Sequence, residues 1–177
     1  PGTVGVGTGV EIGIMSDTGS LLDTGERGEV VIKGANVTPG YHNNPEANSE
    51  AFTNGWFRTG DQGELSDSMV LTLTGRLKEL INRGGEKISP LEVDAALIKH
   101  PSIAEAVCFG VSDEKYGEIV QAAVVLSANS SETEIQAFCS KQLAGFKVPE
   151  RVYIVDELPR TATGKIQRRH IAAKFAE

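Results

Sequence analysis

Three short segments of the 177-residue chain contain residue types that could bind and act on a charged ligand. The first, residues 55–61, has the sequence Gly-Trp-Phe-Arg-Thr-Gly-Asp, in which an apolar strand ends in a glycine followed by Asp61. A carboxylate at the end of a strand can accept hydrogen bonds from two vicinal hydroxyl groups, as in ribose recognition. Taken alone, the segment is explained more simply by an acid in a turn.

The second segment, residues 75–90, places basic residues around a pair of glycines and then opens a helix. Gly84 and Gly85 have no Cβ atom, so a ligand could pass close to the backbone there. A solvated β-hairpin is an equally good explanation of this segment on its own. The sequence therefore leaves both interpretations open for residues 75–90.

The third segment, residues 158–166, carries Lys165 on a loop of small polar residues just before a basic stretch. A lysine on a mobile loop is a point charge that can be delivered to a phosphate. From residue 158 to residue 176 there are basic residues and no acids: Arg160, Lys165, Arg168, Arg169 and Lys174. This tail predicts either a solvated helix face or a local site for an anion, and an isolated surface lysine remains the simpler explanation of Lys165.

The elements that must position these segments fall into two groups, which predict an α+β fold. Residues 1–75 contain short β-branched runs separated by turns, which indicates a small barrel or sandwich. The strands are predicted at 4–8, 10–15, 29–33, 56–59 and 69–74, with a helix at 45–51 that is capped by Asn44 and has Pro45 in its first turn.

Residues 76–177 alternate strands with helices, which predicts a compact second domain. The strands are predicted at 79–82, 104–110, 119–126 and 151–155, and the helices at 90–99, 131–143 and 166–175. Ser89 and Glu92 have the spacing of a capping box at the start of the first of these helices.

Composition restricts the class of protein. The net charge of −7 argues against a general nucleic-acid partner, and no apolar run is long enough to span a bilayer. The three histidines have no ligand spacing, so we expect no metal site in this chain. Cys108 and Cys139 are expected to be reduced thiols in an intracellular compartment. The chain begins with Pro1 and has no basic or apolar leader, so we interpret it as cut from a longer protein.

Taken together and in this order, the three segments resemble the C-terminal signatures of the adenylate-forming superfamily, which includes acyl-CoA synthetases, luciferases and peptide-synthetase adenylation domains. The resemblance covers essentially the whole chain, and residues 40–48 are similar to the family's segment ahead of the Trp-Phe-Arg-Thr-Gly-Asp signature. Residues 79–90, 109–117 and 161–169 look most like the oxalate–CoA ligase branch, within the 4-coumarate–CoA ligase-like enzymes. The resemblance implies a β-barrel-like subdomain of a large AMP-binding domain at 1–75, followed by the mobile C-terminal domain at 76–177.

The resemblance also implies roles for single residues. Asp61 would hold the ribose hydroxyls of ATP and acyl-AMP, and Arg76 would contact the same nucleotide. Lys78 falls at the hinge about which the small domain rotates. Lys165 would reach the substrate carboxylate and the α-phosphate during adenylation. Thr59 belongs to the nucleotide-binding signature.

In the second half-reaction the paired glycines would line the tunnel for the pantetheine arm of CoA. Gly84, Gly85 and Glu86 are the residues implied there. Related ligases often carry a lysine where this chain has Asn82 and a glutamine where it has Lys87, which leaves the contacts of these two positions near the acyl phosphate open.

The family's phosphate loop and its Tyr-Gly-x-Thr-Glu segment would lie upstream of Pro1, together with phosphate and Mg²⁺ binding and most of the acid pocket. We therefore expect the chain alone to be inert, with a small carboxylic acid, ATP, CoA and the missing N-terminal domain as partners of the whole enzyme. The compartment is expected to be cytoplasmic or peroxisomal. The alternative is an autonomous binding module whose basic tail, residues 165–174, recruits a partner or an anionic surface.

Overall fold

The chain folds into two compact units that divide between Lys78 and Glu79. The computed structural model describes residues 3–161, 164 and 166–175. In this part of the chain, no helix is both long enough and apolar enough to cross a membrane.

The first unit is a six-stranded antiparallel sheet with one short helix. Its elements are β1 (Thr3–Gly5), β2 (Glu11–Met15), β3 (Arg27–Lys33), α1 (Pro45–Ala51), β4 (Phe52–Thr53), β5 (Trp56–Leu65) and β6 (Leu71–Arg76). The sheet order is β1-β6-β5-β3-β2, with β4 paired to the start of β5. The core of the unit is formed by Ile14, Val30, Leu65 and Leu71.

Helix α1 confirms its predicted bounds and cap. The Asn44 side chain accepts a hydrogen bond from the backbone N of Ala47 at 3.1 Å, and Pro45 occupies the first turn, where a missing N–H costs nothing. Asn44 and Pro45 are therefore sufficient to specify where this helix begins.

Strand β5 corrects the prediction that a strand ends at residue 59. It continues through Asp61 to Leu65. Its pairing with β3 moves from Val31–Arg58 to Glu29–Gln62, so four positions on β5 stand opposite two on β3. Residues 59–61 therefore form a bulge, and Asp61 lies on that bulge rather than at a strand end.

The second unit is a five-stranded sheet with helices on both faces. A 3-10 turn (Leu77–Glu79) leads into β7 (Ile81–Arg83), β8 (Glu86–Ile88), α2 (Pro90–Leu97), β9 (Ile103–Asp113), β10 (Gly117–Leu126), α3 (Glu132–Cys139), β11 (Arg151–Ile154) and α4 (Arg168–Phe175). The order is β11-β10-β7-β8, with β9 along β10. The β10–β11 pair is parallel, and the other pairs are antiparallel.

The side chains of β9 and β10 pack alternately into two hydrophobic cores, because successive side chains of a strand point to opposite faces of the sheet. Cys108 and Val120 pack with α2 and α3 on one face. Val107, Phe109 and Ala123 pack with Leu158 and Ile171 on the other face. These two cores sandwich the sheet between α2 and α3 on one side and α4 on the other.

Several predicted boundaries in this unit are wrong for identifiable reasons. Glu79 lies in the 3-10 turn, so the strand predicted from residue 79 begins only at Ile81. The side chain of Ser89 makes no cap hydrogen bond, and Glu92 instead accepts from Lys147 Nζ at 2.7 Å. The capping box occurs at Ser131 and Glu134, at the start of α3.

Both cysteines lie in the core, which leads to a prediction about their reactivity. Cys108 and Cys139 are fully buried, and burial raises the pKa of the Cys108 thiol well above its usual range and that of Cys139 to a lesser degree. Because the thiolate is the reactive form, we expect neither thiol to react rapidly with Ellman's reagent at pH 8 in the native protein. Both should react after unfolding in denaturant, and one fast native thiol would contradict this burial.

Candidate functional site

The predicted residues of the first unit meet where β5 and β6 pair. Asp61 stands opposite Arg76, and the Asp61 Oδ1 and Arg76 Nε atoms are 3.0 Å apart. The Asp61 side chain is 25% exposed and that of Arg76 is 64% exposed. An ion pair with one exposed and one partly exposed member contributes little stability, so a polar ligand can compete for both groups.

The bulge that presents Asp61 is fixed by its neighbours. The Thr59 hydroxyl donates to the Val30 carbonyl at 2.7 Å and accepts from the Asp61 backbone N at 3.1 Å. Gly60 adopts a φ of +73°, which glycine tolerates without strain. Thr59 therefore holds the bulge, while Gly60 allows the turn that it needs.

Glu29 is a site residue that sequence reasoning missed. It is only 6% exposed, and it accepts hydrogen bonds from Gly60 N at 2.9 Å and from Arg58 Nε at 2.7 Å. This buried carboxylate accepts hydrogen bonds from two donors and thereby holds the bulge in place. The available signal was an acid placed directly before the apolar run Val-Val-Ile of β3.

A cavity of about 510 Å³ opens beside this bulge in the first unit. Its lining includes Thr59, Arg76 and Lys78, three of the predicted residues, together with Tyr41 and Arg58. Asp61 does not line the cavity directly, although its ion-pair partner Arg76 does. The wall also includes Glu29, which pairs with Arg58, and Glu50. Arg76 and Lys78 are the cationic side chains that could contact an anionic ligand, and the remaining polar groups could bond its hydroxyl groups.

The paired glycines of the second unit form the predicted tight turn between β7 and β8. Gly84 and Gly85 have φ values of +57° and +93°, as a two-residue type I′ turn requires. The Gly84 N–H donates to the Tyr116 carbonyl at 2.8 Å, and the Arg83 guanidinium lies 4.3 Å from the centre of the Tyr116 ring. The hairpin is thus attached to the connection between β9 and β10.

The side chains predicted beside these glycines face solvent. Asn82 and Lys87 are opposite each other on β7 and β8, and both are exposed, as is Glu86. The Asn82 backbone N donates to Glu118 Oε2 at 2.6 Å, so the backbone rather than the side chain fixes this position. The exposed hairpin tip remains accessible to a ligand.

Lys165 lies outside the described residues, but the chain on either side of it is described. Arg160 and Ile166 form an isolated antiparallel bridge. The Gly164 N–H donates to the Thr161 carbonyl at 2.9 Å, and Arg160 donates to the Gly164 carbonyl at 3.0 Å. The two ends of the predicted loop are therefore held together.

The basic tail is only partly the solvated face that one interpretation expected. Arg160 pairs with Glu105 at 2.7 Å, and the Arg168 side chain is only 14% exposed and pairs with Asp94 at 2.8 Å. Burial raises the pKa of the Asp94 carboxyl, and Arg168 only partly offsets that rise. Burial alone would lower the pKa of Arg168, but the hydrogen bond and charge of Asp94 outweigh it, and the net shift is upward.

Comparison with known proteins agrees with this fold. Residues 92–165 match the family model of the AMP-binding enzyme C-terminal domain. The chain therefore contains the C-terminal domain of the AMP-binding enzyme family.

Two similar curated proteins are oxalate–CoA ligases. The enzyme from Arabidopsis thaliana is 55% identical over 179 residues, which cover 100% of this chain and 35% of the relative. The enzyme from Saccharomyces cerevisiae is 56% identical over 181 residues, which cover 100% of this chain and 33% of the relative. The chain therefore spans about a third of the length of the curated relatives it matches.

Solved structures of similar proteins contain adenine nucleotides. ATP-bound MatB from Rhodopseudomonas palustris is 33% identical with a TM-score of 0.94, covering 100% of this chain and 36% of that one. The o-succinylbenzoate CoA synthetase of Bacillus subtilis in complex with its acyl-adenylate intermediate is 39% identical with a TM-score of 0.84, covering 92% and 34%. The same enzyme has also been solved with ATP and a magnesium ion.

Proposed function

We propose that this chain supplies the C-terminal portion of an ATP-dependent acid–CoA ligase, with oxalate as the acid. In the first half-reaction a carboxylate attacks the α-phosphate of ATP, which forms acyl-AMP and releases pyrophosphate. In the second, the CoA thiol attacks the acyl carbonyl and AMP leaves. The observation that carries the proposal is the Thr59–Asp61 bulge with its Asp61–Arg76 pair beside a cavity that Arg76 and Lys78 line, and the two oxalate–CoA ligase relatives support the choice of acid.

In the first unit, Asp61 accepts hydrogen bonds from the ribose hydroxyls, and Arg76 donates to the same nucleotide. The Asp61–Arg76 distance of 3.0 Å supports this assignment, because a ligand that bridges the pair gains two charge-assisted contacts at once. Thr59 acts by holding the bulge. Lys78 is the last residue of the unit, which is consistent with a hinge at that position.

In the second unit, two segments serve different half-reactions. Lys165 carries positive charge to the α-phosphate and the attacking carboxylate, where negative charge develops as pyrophosphate leaves. Gly84 and Gly85, with Glu86, border the pantetheine arm in the thioester step, and the absence of Cβ atoms at the tip supports that close approach. Asn82 and Lys87 flank this tip on exposed positions.

We propose no role for Mg²⁺ binding in this portion of the enzyme. In the described parts of the chain, no three His, Cys, Asp or Glu residues lie close enough together to hold a metal ion. We propose that Mg²⁺ enters with ATP and is bound by residues outside these 177.

Binding of AMP tests the nucleotide assignment on this chain itself. We expect isothermal titration calorimetry to detect weak AMP binding, because Arg76 is exposed and Asp61 is partly exposed, and we expect Asp61→Ala to abolish it. Asp67→Ala is the matched control, since Asp67 is an exposed aspartate in the β5–β6 connection. Binding that survives Asp61→Ala but fails with Asp67→Ala would contradict the assignment. Tight binding of a protein or nucleic acid that ignores Asp61→Ala would favour the binding-module alternative.

The chain alone should not complete the first half-reaction. The resemblance places the family's phosphate loop upstream of Pro1, so we expect these residues not to hold the β- and γ-phosphates in line. We expect no exchange of labelled pyrophosphate into ATP with oxalate or with a panel of other short acids. Clear turnover by the purified chain would show that these residues are sufficient for adenylation.

A further inference from the structure

Arg168 is a partly buried cation that the proposed function leaves without a role. It is the first residue of α4 and follows Lys165 by three positions. Its side chain is directed into the second unit, whereas a solvated basic helix would expose it. A buried guanidinium needs several hydrogen-bond partners to offset the loss of water, and the structure supplies them from three different elements.

Asp94 on α2 and the outer edge of β9 are the central partners. Arg168 Nη2 donates to Asp94 Oδ2 at 2.8 Å, and Nη1 donates to the Cys108 carbonyl. Asp94 Oδ1 in turn accepts from the Cys108 backbone N at 2.5 Å. Both backbone groups of Cys108 on the outer edge of β9 are therefore satisfied by this one ion pair.

Glu79 is the third partner and lies at the start of the same unit. Arg168 Nε donates to Glu79 Oε2 at 3.2 Å, and Glu79 directly follows Lys78 in the chain. The guanidinium therefore connects the residue after the proposed hinge to the residues after the Lys165 loop. The planar guanidinium of arginine has several N–H donors in fixed directions and can bond these partners together, whereas the single ammonium of a lysine cannot.

The other end of the loop is fixed by a second arginine. Arg160 donates to Glu105 Oε2 on β9 at 2.7 Å and to the Gly164 carbonyl at 3.0 Å. With the Arg160–Ile166 bridge, residues on both sides of Lys165 are attached to β9. Of the two arginines Arg168 is the more deeply buried.

We propose that Arg168 is a positioning residue for adenylation, which holds residues 166–168, the chain directly after Lys165, in a fixed relation to β9, α2 and Glu79. The inference rests on the proposed function, because it assigns to Lys165 the role described above. Arg168 touches no substrate. Its effect is to fix the position from which the chain leads back to Lys165.

The test separates the two half-reactions in the full-length ligase that contains this chain. Arg168→Met removes the hydrogen-bond donors but keeps an unbranched aliphatic side chain. Arg168→Lys keeps the positive charge but loses the planar guanidinium group. We expect both to lower oxalate-dependent pyrophosphate exchange by about 10- to 100-fold, the range that a displacement of about 1 Å produces. Thioester formation from supplied acyl-adenylate should stay within about two-fold, since that step uses the Gly84–Gly85 hairpin instead of Lys165.

The controls distinguish positioning from folding. Arg151→Met removes an exposed arginine of β11 that pairs with Glu132, and it should change neither half-reaction. If the Arg168 variants reduce both half-reactions equally, or neither, while Lys165→Ala strongly lowers adenylation, the positioning role is wrong and the proposed function stands. If Lys165→Ala leaves adenylation intact, both proposals are wrong. Should Arg168→Met fail to fold, Asp94→Asn, which keeps the shape of the side chain, carries the same test with the same expected split.

Discussion

Replacing Lys165 by alanine in the full-length ligase is expected to lower the rate of adenylation by roughly 10²- to 10³-fold, as the loss of one group aimed at developing charge typically does. The reason is electrostatic, because negative charge accumulates between the attacking carboxylate and the α-phosphate as pyrophosphate departs. A single amine delivered there cannot be replaced by water without reorganisation. Single-turnover measurement of acyl-AMP formation gives the rate of this step directly.

The matched control for this experiment is Lys174→Ala. Lys174 is an exposed lysine of α4 that lies near the Phe175 ring, so it carries the same charge on the same basic tail without a role in the proposed chemistry. Adenylation should be unchanged in this variant. Equal losses for both lysines would indicate that the tail acts by its overall charge, as the binding-module alternative requires.

Replacing Glu29 by alanine is expected to destabilise the first unit by about 1–3 kcal/mol, because the change leaves two partly buried donors without their acceptor. The Gly60 N–H and the Arg58 guanidinium both lose their partner, and the bulge that carries Asp61 loses its support. Trp56 is the only tryptophan of the chain and lies at the start of β5. Urea unfolding followed by its fluorescence therefore reports on the first unit separately.

Glu64→Ala is the comparison for that measurement. Glu64 is also on β5 and pairs with Arg27 at 2.8 Å, but the pair is solvent-exposed, so its loss should cost only about 0–1 kcal/mol. Similar midpoints for the two variants would show that Glu29 is not the support of the bulge. The Glu29→Ala variant should also lose AMP binding at urea concentrations at which it is still folded.

Sequence patterns predicted the elements whose signals are local. Asn44 and Pro45 specify the start of α1 by themselves, and the pair Gly84-Gly85 specifies a tight turn because few other residues accept two positive φ angles. The long strands β9 and β10 were also predicted, since their apolar runs are bounded by turn residues.

Features that depend on distant partners could not be predicted in the same way. The bulge at residues 59–61 depends on Glu29, which is far away in sequence and meets Gly60 only after β3 and β5 pair. Ser89 has the spacing of a cap, but Glu92 is held by Lys147. Arg168 looks like part of a solvated basic face until folding brings Asp94 and Glu79 to it.

Because the side chains of β9 pack alternately into two cores, insertions and deletions within this strand are restricted. Because Val107 and Phe109 serve one core while Cys108 serves the other, inserting or deleting one residue within β9 would exchange the environments of every following side chain. The same change would move the Cys108 backbone away from the ion pair that covers it. Homologous chains should therefore keep β9 free of single-residue gaps and place their length variation in the connection between β10 and α3.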